Sequence, residues 1–195
     1  EGRQEARLTY LGVKSSLPHF ERGIIIDIGG GSTEVIFYDK TGVKNLLSLD
    51  LGVVALKEKV AASRKYGSGA VEIIKNEVSQ ALEATDDFVA PLIVVGGTGT
   101  TAAAYLKGLE NYQPEVVHGS QIEQTRVNDL IEKFAGMNFS KIEKHPVISA
   151  GRGAVMLPGL YILKGFMSRY NSPQTVVSDC GVLAGLLEEI STNDK

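Results

Sequence analysis

Asp27-Ile28-Gly29-Gly30-Gly31-Ser32-Thr33-Glu34 is the first stretch whose residue types could do chemistry. Three glycines in a row can adopt left-handed backbone angles and let an anion reach main-chain N–H groups with no Cβ in the way. Ser32 and Thr33 add hydroxyl donors. Asp27 and Glu34, one on each side, are hard oxygen ligands of the kind that hold Mg²⁺ against a bound phosphate. The competing reading is a glycine-rich hairpin with two solvated acids. A second stretch, Gly96-Gly97-Thr98-Gly99-Thr100-Thr101, joins a continuous apolar run to a helical pattern. Such a join gathers free N–H groups, hydroxyls and the positive end of a helix dipole, which together make an anion site; a glycine-eased corner is its bland alternative. Neither stretch matches Gly-x-Gly-x-x-Gly or the P-loop with its Lys, so neither a Rossmann dinucleotide site nor a Walker nucleotide site is supported.

The flanking elements can be read from periodicity. Residues 23–28 are an apolar, β-branched run that resumes as Val35-Ile36-Phe37-Tyr38, giving strand, tight turn, strand. Asp39-Lys40-Thr41-Gly42 is a turn, and residues 46–52 read as a third strand, completing an antiparallel meander. Apolar residues at three- and four-residue spacing predict helices over 53–65 and 69–88, and Leu92-Ile93-Val94-Val95 reads as a buried parallel strand. Thr125 is expected to cap a helix through Phe134. A mostly apolar helix follows over 149–168, with Gly151-Arg152-Gly153 at its start and Pro158-Gly159 inside. A last strand over 175–179 and a last helix over 180–190 end the chain. Residues 1–13 read as a helix already under way at the first position, so a preceding segment is expected. The order β-β-β-α-β-α-β-α implies an α/β domain with a mixed five-stranded sheet and helices on its faces, the ribonuclease-H-like layout of actin-like ATPase halves.

Composition narrows the partners. With 43% hydrophobic residues among 195, the chain can fill one sizeable core. A formal net charge of −3, with 20 basic residues scattered rather than striped, leaves no electrostatic footprint for duplex nucleic acid. Any phosphate recognition must therefore be local. No apolar run approaches the roughly 18 residues of a membrane helix, and the first residues do not form a signal peptide, so a cytoplasmic protein is expected. The single Cys180 cannot form an internal disulfide and reads as a small buried residue.

These residues resemble the exopolyphosphatase/guanosine pentaphosphate phosphatase (Ppx/GppA) family of the actin, hexokinase and acetokinase superfamily, over nearly the whole chain. Glu5-Ala6-Arg7-Leu8 is similar to the family's Glu-Ala-Arg segment, Asp27 through Glu34 to its Asp-x-Gly-Gly-Gly-Ser-Thr-Glu loop, and Gly96-Gly97-Thr98 to its second phosphate loop. Val117-His118-Gly119, Arg152 and Ser178-Asp179-x-Gly181 resemble later landmarks. By that resemblance Glu5 is the base that activates an attacking water, and Asp27 and Glu34 position Mg²⁺. Gly29, Gly30, Gly31, Ser32, Gly96, Gly97, Thr98 and Arg152 hold phosphoryl oxygens. On its own residue pattern Glu5 is a solvated helix-face glutamate; only the resemblance gives it a role. Arg152 sits where its charge opposes a helix dipole, which favours a functional partner. His118, between Val117 and Gly119, reads as a hydrogen-bonded structural residue.

The resemblance implies Mg²⁺-dependent release of orthophosphate from inorganic polyphosphate or guanosine pentaphosphate. Members of that family carry an N-terminal domain with its own phosphate loop and place the active site between the two domains. No such segment occurs here, so the chain resembles the second, C-terminal domain alone and is expected to be folded but inactive by itself. A homodimer is among the partners implied, since family members are often dimers. Where the family tends to carry Leu-Arg-Glu-Gly, this sequence has Val182-Leu183-Ala184-Gly185. Two other classes fit similar loops: the ATP-binding half of an actin-like kinase or ATPase, and a non-catalytic module that senses phosphate compounds.

Overall fold

The structure, a computed structural model, describes residues 2–60 and 66–193. In chain order the elements are α1 (Gly2–Ser16), β1 (Gly23–Ile28), β2 (Thr33–Asp39), β3 (Gly42–Leu49), α2 (Val53–Lys59), α3 (Ser68–Leu82), β4 (Leu92–Val95) and α4 (Gly97–Leu106). They continue as α5 (Pro114–Val117), β5 (Gln121–Glu123), α6 (Gln124–Ala135), α7 (Phe139–Ile142), α8 (Gly153–Arg169), β6 (Gln174–Ser178) and α9 (Val182–Asn193). The sheet runs β3-β2-β1-β4-β6-β5. β1, β2 and β3 form the expected antiparallel meander, while β1, β4 and β6 are parallel neighbours.

The sheet has six strands rather than the five expected. The extra one, β5, is three residues long and pairs antiparallel with β6 at the sheet edge. One buried Ile122 between two exposed neighbours is too short an alternation to read as a strand. Other boundaries move for local reasons. The helix expected to reach residue 88 stops at Leu82, where the Thr85 hydroxyl takes the Leu82 carbonyl at 2.7 Å and competes with a further turn. Thr125 does not cap α6; Glu123 occupies that position, and the Thr125 hydroxyl reaches its carboxylate at 3.2 Å. The helix expected over 53–65 ends at Lys59, and residues 61–65 lie outside the described ones.

Two cores separate the faces of the sheet. Ile24, Ile26 and Ile28 of β1 point to the side covered by α3, α4, α6 and α8, together with Val35 and Phe37 of β2 and Val94 of β4. The alternate residues Ile25, Ile36, Tyr38, Ile93 and Val95 point to the other side, where Ala6, Val13 and Leu17 of α1 cover them. That period of two within each strand assigns Asp27 and Glu34 to the α1 side. α9 packs along the outside of α1. Among the described residues no helix is long and apolar enough to cross a membrane. Because β1, β4 and β6 are parallel, the segments leaving them emerge at one edge of the sheet, where open α/β sheets form their ligand crevices.

Candidate active site

Asp27 is the penultimate residue of β1, and its register partners are Glu34 on β2 and Val95 on β4. The Thr9 hydroxyl of α1 donates to Asp27 Oδ2 at 3.1 Å. Burial pushes the Asp27 carboxyl up to about 6. The Thr9 hydrogen bond pulls the other way, and the charges of Glu34 and Glu5 push it further up. Glu5 therefore lies within electrostatic reach of Asp27. Being four residues before Thr9, it shares the helix face that carries the Thr9 contact. Its side chain is exposed.

Glu34 is buried, and its Oε1 accepts from the hydroxyls of Ser32 at 2.8 Å and Ser48 at 2.9 Å. The Ser32 hydroxyl, expected to face a phosphate, is thus directed to Glu34, leaving its N–H as the group it can offer. The Thr33 hydroxyl, the other expected donor, is buried on Leu51 O at 2.5 Å. Asp27 and Glu34 supply two hard oxygen donors. Among the described residues no group of three or more acidic, histidine or cysteine side chains gathers as a metal site. Two carboxylates suit Mg²⁺, which keeps several waters and shares its shell with phosphate oxygens.

The glycine turn works differently from its reading in sequence. None of Gly29, Gly30 or Gly31 has a left-handed φ. Gly29 N–H closes the turn on Ser32 O at 2.9 Å. The carbonyls of Gly29 and Gly30 accept from Val53 and Val54, at 3.0 and 2.8 Å, and so cap the start of α2. The N–H groups of Gly30, Gly31 and Ser32 make no hydrogen bond among the described residues. An added Cβ at Gly31 would meet nothing within 4 Å. What the glycines provide is open approach to those N–H groups.

The second loop has the conformation that requires glycine. Gly96 takes φ +92° and ψ 173° ahead of α4. A Cβ there would stand 3.0 Å from Ile28 O and 3.1 Å from Asp27 Oδ1, so the two loops are in direct contact. The first-turn N–H groups of α4 have no carbonyl within the helix. Thr98 points its hydroxyl into the packing against Gly159 of α8, so only its main chain can face an anion. Arg152, immediately before α8, lies over Gly97 closely enough to exclude a Cβ, and its Nη1 donates to Thr101 Oγ1 at 3.2 Å.

An open cleft of about 400 Å³ is lined by Asp27, Gly96, Gly97, Thr100, Arg152 and Asp179, among others. A larger groove of about 530 Å³ between α3 and α8 is mostly apolar and holds none of these residues, so size does not mark the site. Of the expected residues, the structure brings Asp27, Glu34, Gly96, Gly97 and Arg152 together, with Glu5 within charge range and the 29–32 turn beside them. Thr9, Ser48 and Tyr112 escaped sequence reading, and Asp179 enters it only as part of a stretch resembling a family landmark, with no role. The Tyr112 hydroxyl donates to Asp179 Oδ1 at 2.7 Å, and burial, then the Asp179 carboxylate, pushes its phenol well above the ordinary value. Asp179 N–H donates to His118 Nδ1 at 3.2 Å while Nε2 faces Ser16 O at 3.5 Å, so both ring nitrogens meet main-chain partners. Tyr and Asp this far apart in sequence carry no local signal.

The model of the Ppx/GppA phosphatase family matches residues 1–193. The chain is 30% identical over 198 residues to a bifunctional 3-dehydroquinate synthase/phosphatase of Fusobacterium nucleatum, covering 96% of this chain and 29% of that protein. Its fold matches the crystal structure of an Aquifex aeolicus Ppx/GppA family member with a TM-score of 0.92 at 27% identity, over 98% of this chain and 63% of that one. A Cytophaga hutchinsonii exopolyphosphatase, 18% identical, shares the fold with a TM-score of 0.86, over 98% of this chain and 64% of the other. The chain thus spans less than two thirds of the length of these relatives.

Proposed function

The chain belongs to the Ppx/GppA phosphatase family, and on that premise we propose that it contributes one wall of a site that hydrolyses terminal phosphoanhydride bonds. The substrates proposed are inorganic polyphosphate and guanosine pentaphosphate. The reading is carried by one contact: Asp27 against Gly96, which joins a carboxylate pair to the start of α4, over which the Arg152 side chain lies.

Phosphoryl transfer leaves little bond-making to a protein, so positioning and charge stabilisation do most of the catalysis. The N–H groups at the start of α4 and along the 30–32 turn, with the Arg152 guanidinium, bind and orient the terminal phosphoryl oxygens. Glu5, exposed and one helical turn from Thr9, takes a proton from the attacking water. The water oxygen bonds to the terminal phosphorus, the anhydride P–O bond breaks, and orthophosphate leaves with the shortened chain. Asp27 and Glu34 would hold Mg²⁺, which when bound would supply neutralising charge to the phosphoryl oxygens. Thr9, Ser32 and Ser48 hold the two carboxylates in place. A second lobe, of the kind that the longer relatives have room for, completes the cleft, and the isolated chain has little turnover.

The test is orthophosphate release from polyphosphate and from guanosine pentaphosphate by this domain joined to such a lobe, with and without Glu5→Gln. Release that vanishes in the variant while substrate binding persists supports the reading. Unchanged release would remove Glu5 from the reaction, and ATP-dependent transfer to another acceptor would replace hydrolysis with kinase chemistry.

A further inference from the structure

Arg152 is the residue before α8, with helical backbone angles of φ −82° and ψ −18°, and its own side chain does not cap that helix. The cap comes from elsewhere. Glu143, directly after α7, places Oε1 3.0 Å from both Gly151 N and Gly153 N. These two donors flank Arg152, so one carboxylate oxygen pins the main chain on both sides of it. The backbone there has little other freedom: Gly151 takes φ +83°, and Gly153 packs on Phe139 O with no room for a Cβ.

The direction of Glu143 matters as much as its presence. Its carboxylate is used on main-chain N–H groups, and among the described residues no acid forms an ion pair with Arg152. The guanidinium therefore keeps its charge for the cleft, oriented by Gly97 beneath it and by Thr101 Oγ1 at 3.2 Å. An acidic residue that paired with the guanidinium would cancel the field an anion needs. We propose that Glu143 is a positioning residue for Arg152: it fixes the 151–153 turn from behind, so that the guanidinium is preorganised over Gly97. This rests on the reading of Arg152 as a ligand of phosphoryl oxygens.

Two readouts on the same chain separate that proposal from the reading beneath it. The first is the Arg152 Nε–H NMR signal, assigned by its loss in Arg152→Ala; the second is affinity for inorganic triphosphate in the presence of Mg²⁺. Glu143→Ala is expected to shift and broaden the signal and to weaken triphosphate about tenfold, the scale of one lost charge-assisted hydrogen bond. Glu143→Gln, which keeps an acceptor oxygen, restores most of both. In an Arg152→Ala background Glu143→Ala costs no further affinity. Melting curves of each variant show whether the domain remains folded, and the Gln variant guards against loss of fold in the Ala variant. An Arg152 signal and an affinity untouched by Glu143→Ala overturn the proposal, as does an affinity loss of equal size when Arg152 is already absent. A signal that moves while Arg152→Ala leaves affinity unchanged keeps the positioning contact and removes the phosphoryl role of Arg152.

Discussion

Asp27 and Glu34 are register partners on antiparallel strands, so two carboxylates stand directly across from each other on the α1 side of the sheet. Like charges in that arrangement weaken a sheet, and no cation among the described residues offsets them. The carboxyl of Asp27 rises from 3.8 to about 6 in consequence of burial and of these neighbours. A carboxyl with a raised folded-state value favours folding when protonated. The cost of its charge is absent below 3.8, grows through the interval, and is complete above about 6. Asp27→Asn is therefore expected to raise the melting temperature in chelator at pH 7.5, by up to about 3 kcal/mol of stability, and to do little at pH 4. Equal effects at the two pH values would contradict the assignment.

The same crowding makes a cation stabilising. On the proposed reading, Mg²⁺ would bind the folded pair and find no such pair in the unfolded chain, so it should raise the melting temperature of the wild type in a concentration-dependent way. Glu34→Gln removes one of the two charges and should abolish most of the rise. A melting temperature indifferent to Mg²⁺ at neutral pH counts against the pair as a cation site.

Gly96 and Gly97 differ in what a methyl group would meet. At Gly96 it meets main chain, Ile28 O, in a left-handed conformation, so Gly96→Ala should cost about 1–3 kcal/mol of stability by thermal or urea unfolding. At Gly97 it meets the movable end of Arg152. Gly97→Ala should leave stability closer to wild type while weakening triphosphate binding. Similar stability losses at both positions would mean that Arg152 cannot move aside.

Asp179 places an exposed carboxylate in the wall of a cleft read here as an anion site. Asp179→Asn keeps an acceptor for the Tyr112 hydroxyl and removes the charge. Triphosphate affinity should rise about two- to fivefold at low salt, the size of one screened unit charge at this range, and the gain should shrink as salt is added. A loss of affinity would instead make Asp179 a ligand.

The residue order by itself determined the meander, the parallel β4 and β6, the long apolar helix of α8 and both glycine loops. Each is written in a local pattern of apolar spacing or glycine clustering that main-chain sterics translate directly. Asp27 and Glu34 were visible as candidates because they bracket one such cluster. Tertiary structure alone decided the rest. It turned Ser32 and Thr33 away from any phosphate, onto Glu34 and Leu51 O, because hydroxyls inside a sheet edge bond to the nearest acceptor. It brought Thr9 to Asp27, Gly96 to Ile28 and Arg152 onto Gly97, contacts between residues from 18 to 68 positions apart, each of which exists only because neighbouring strands and the helices on them place chain-distant atoms side by side.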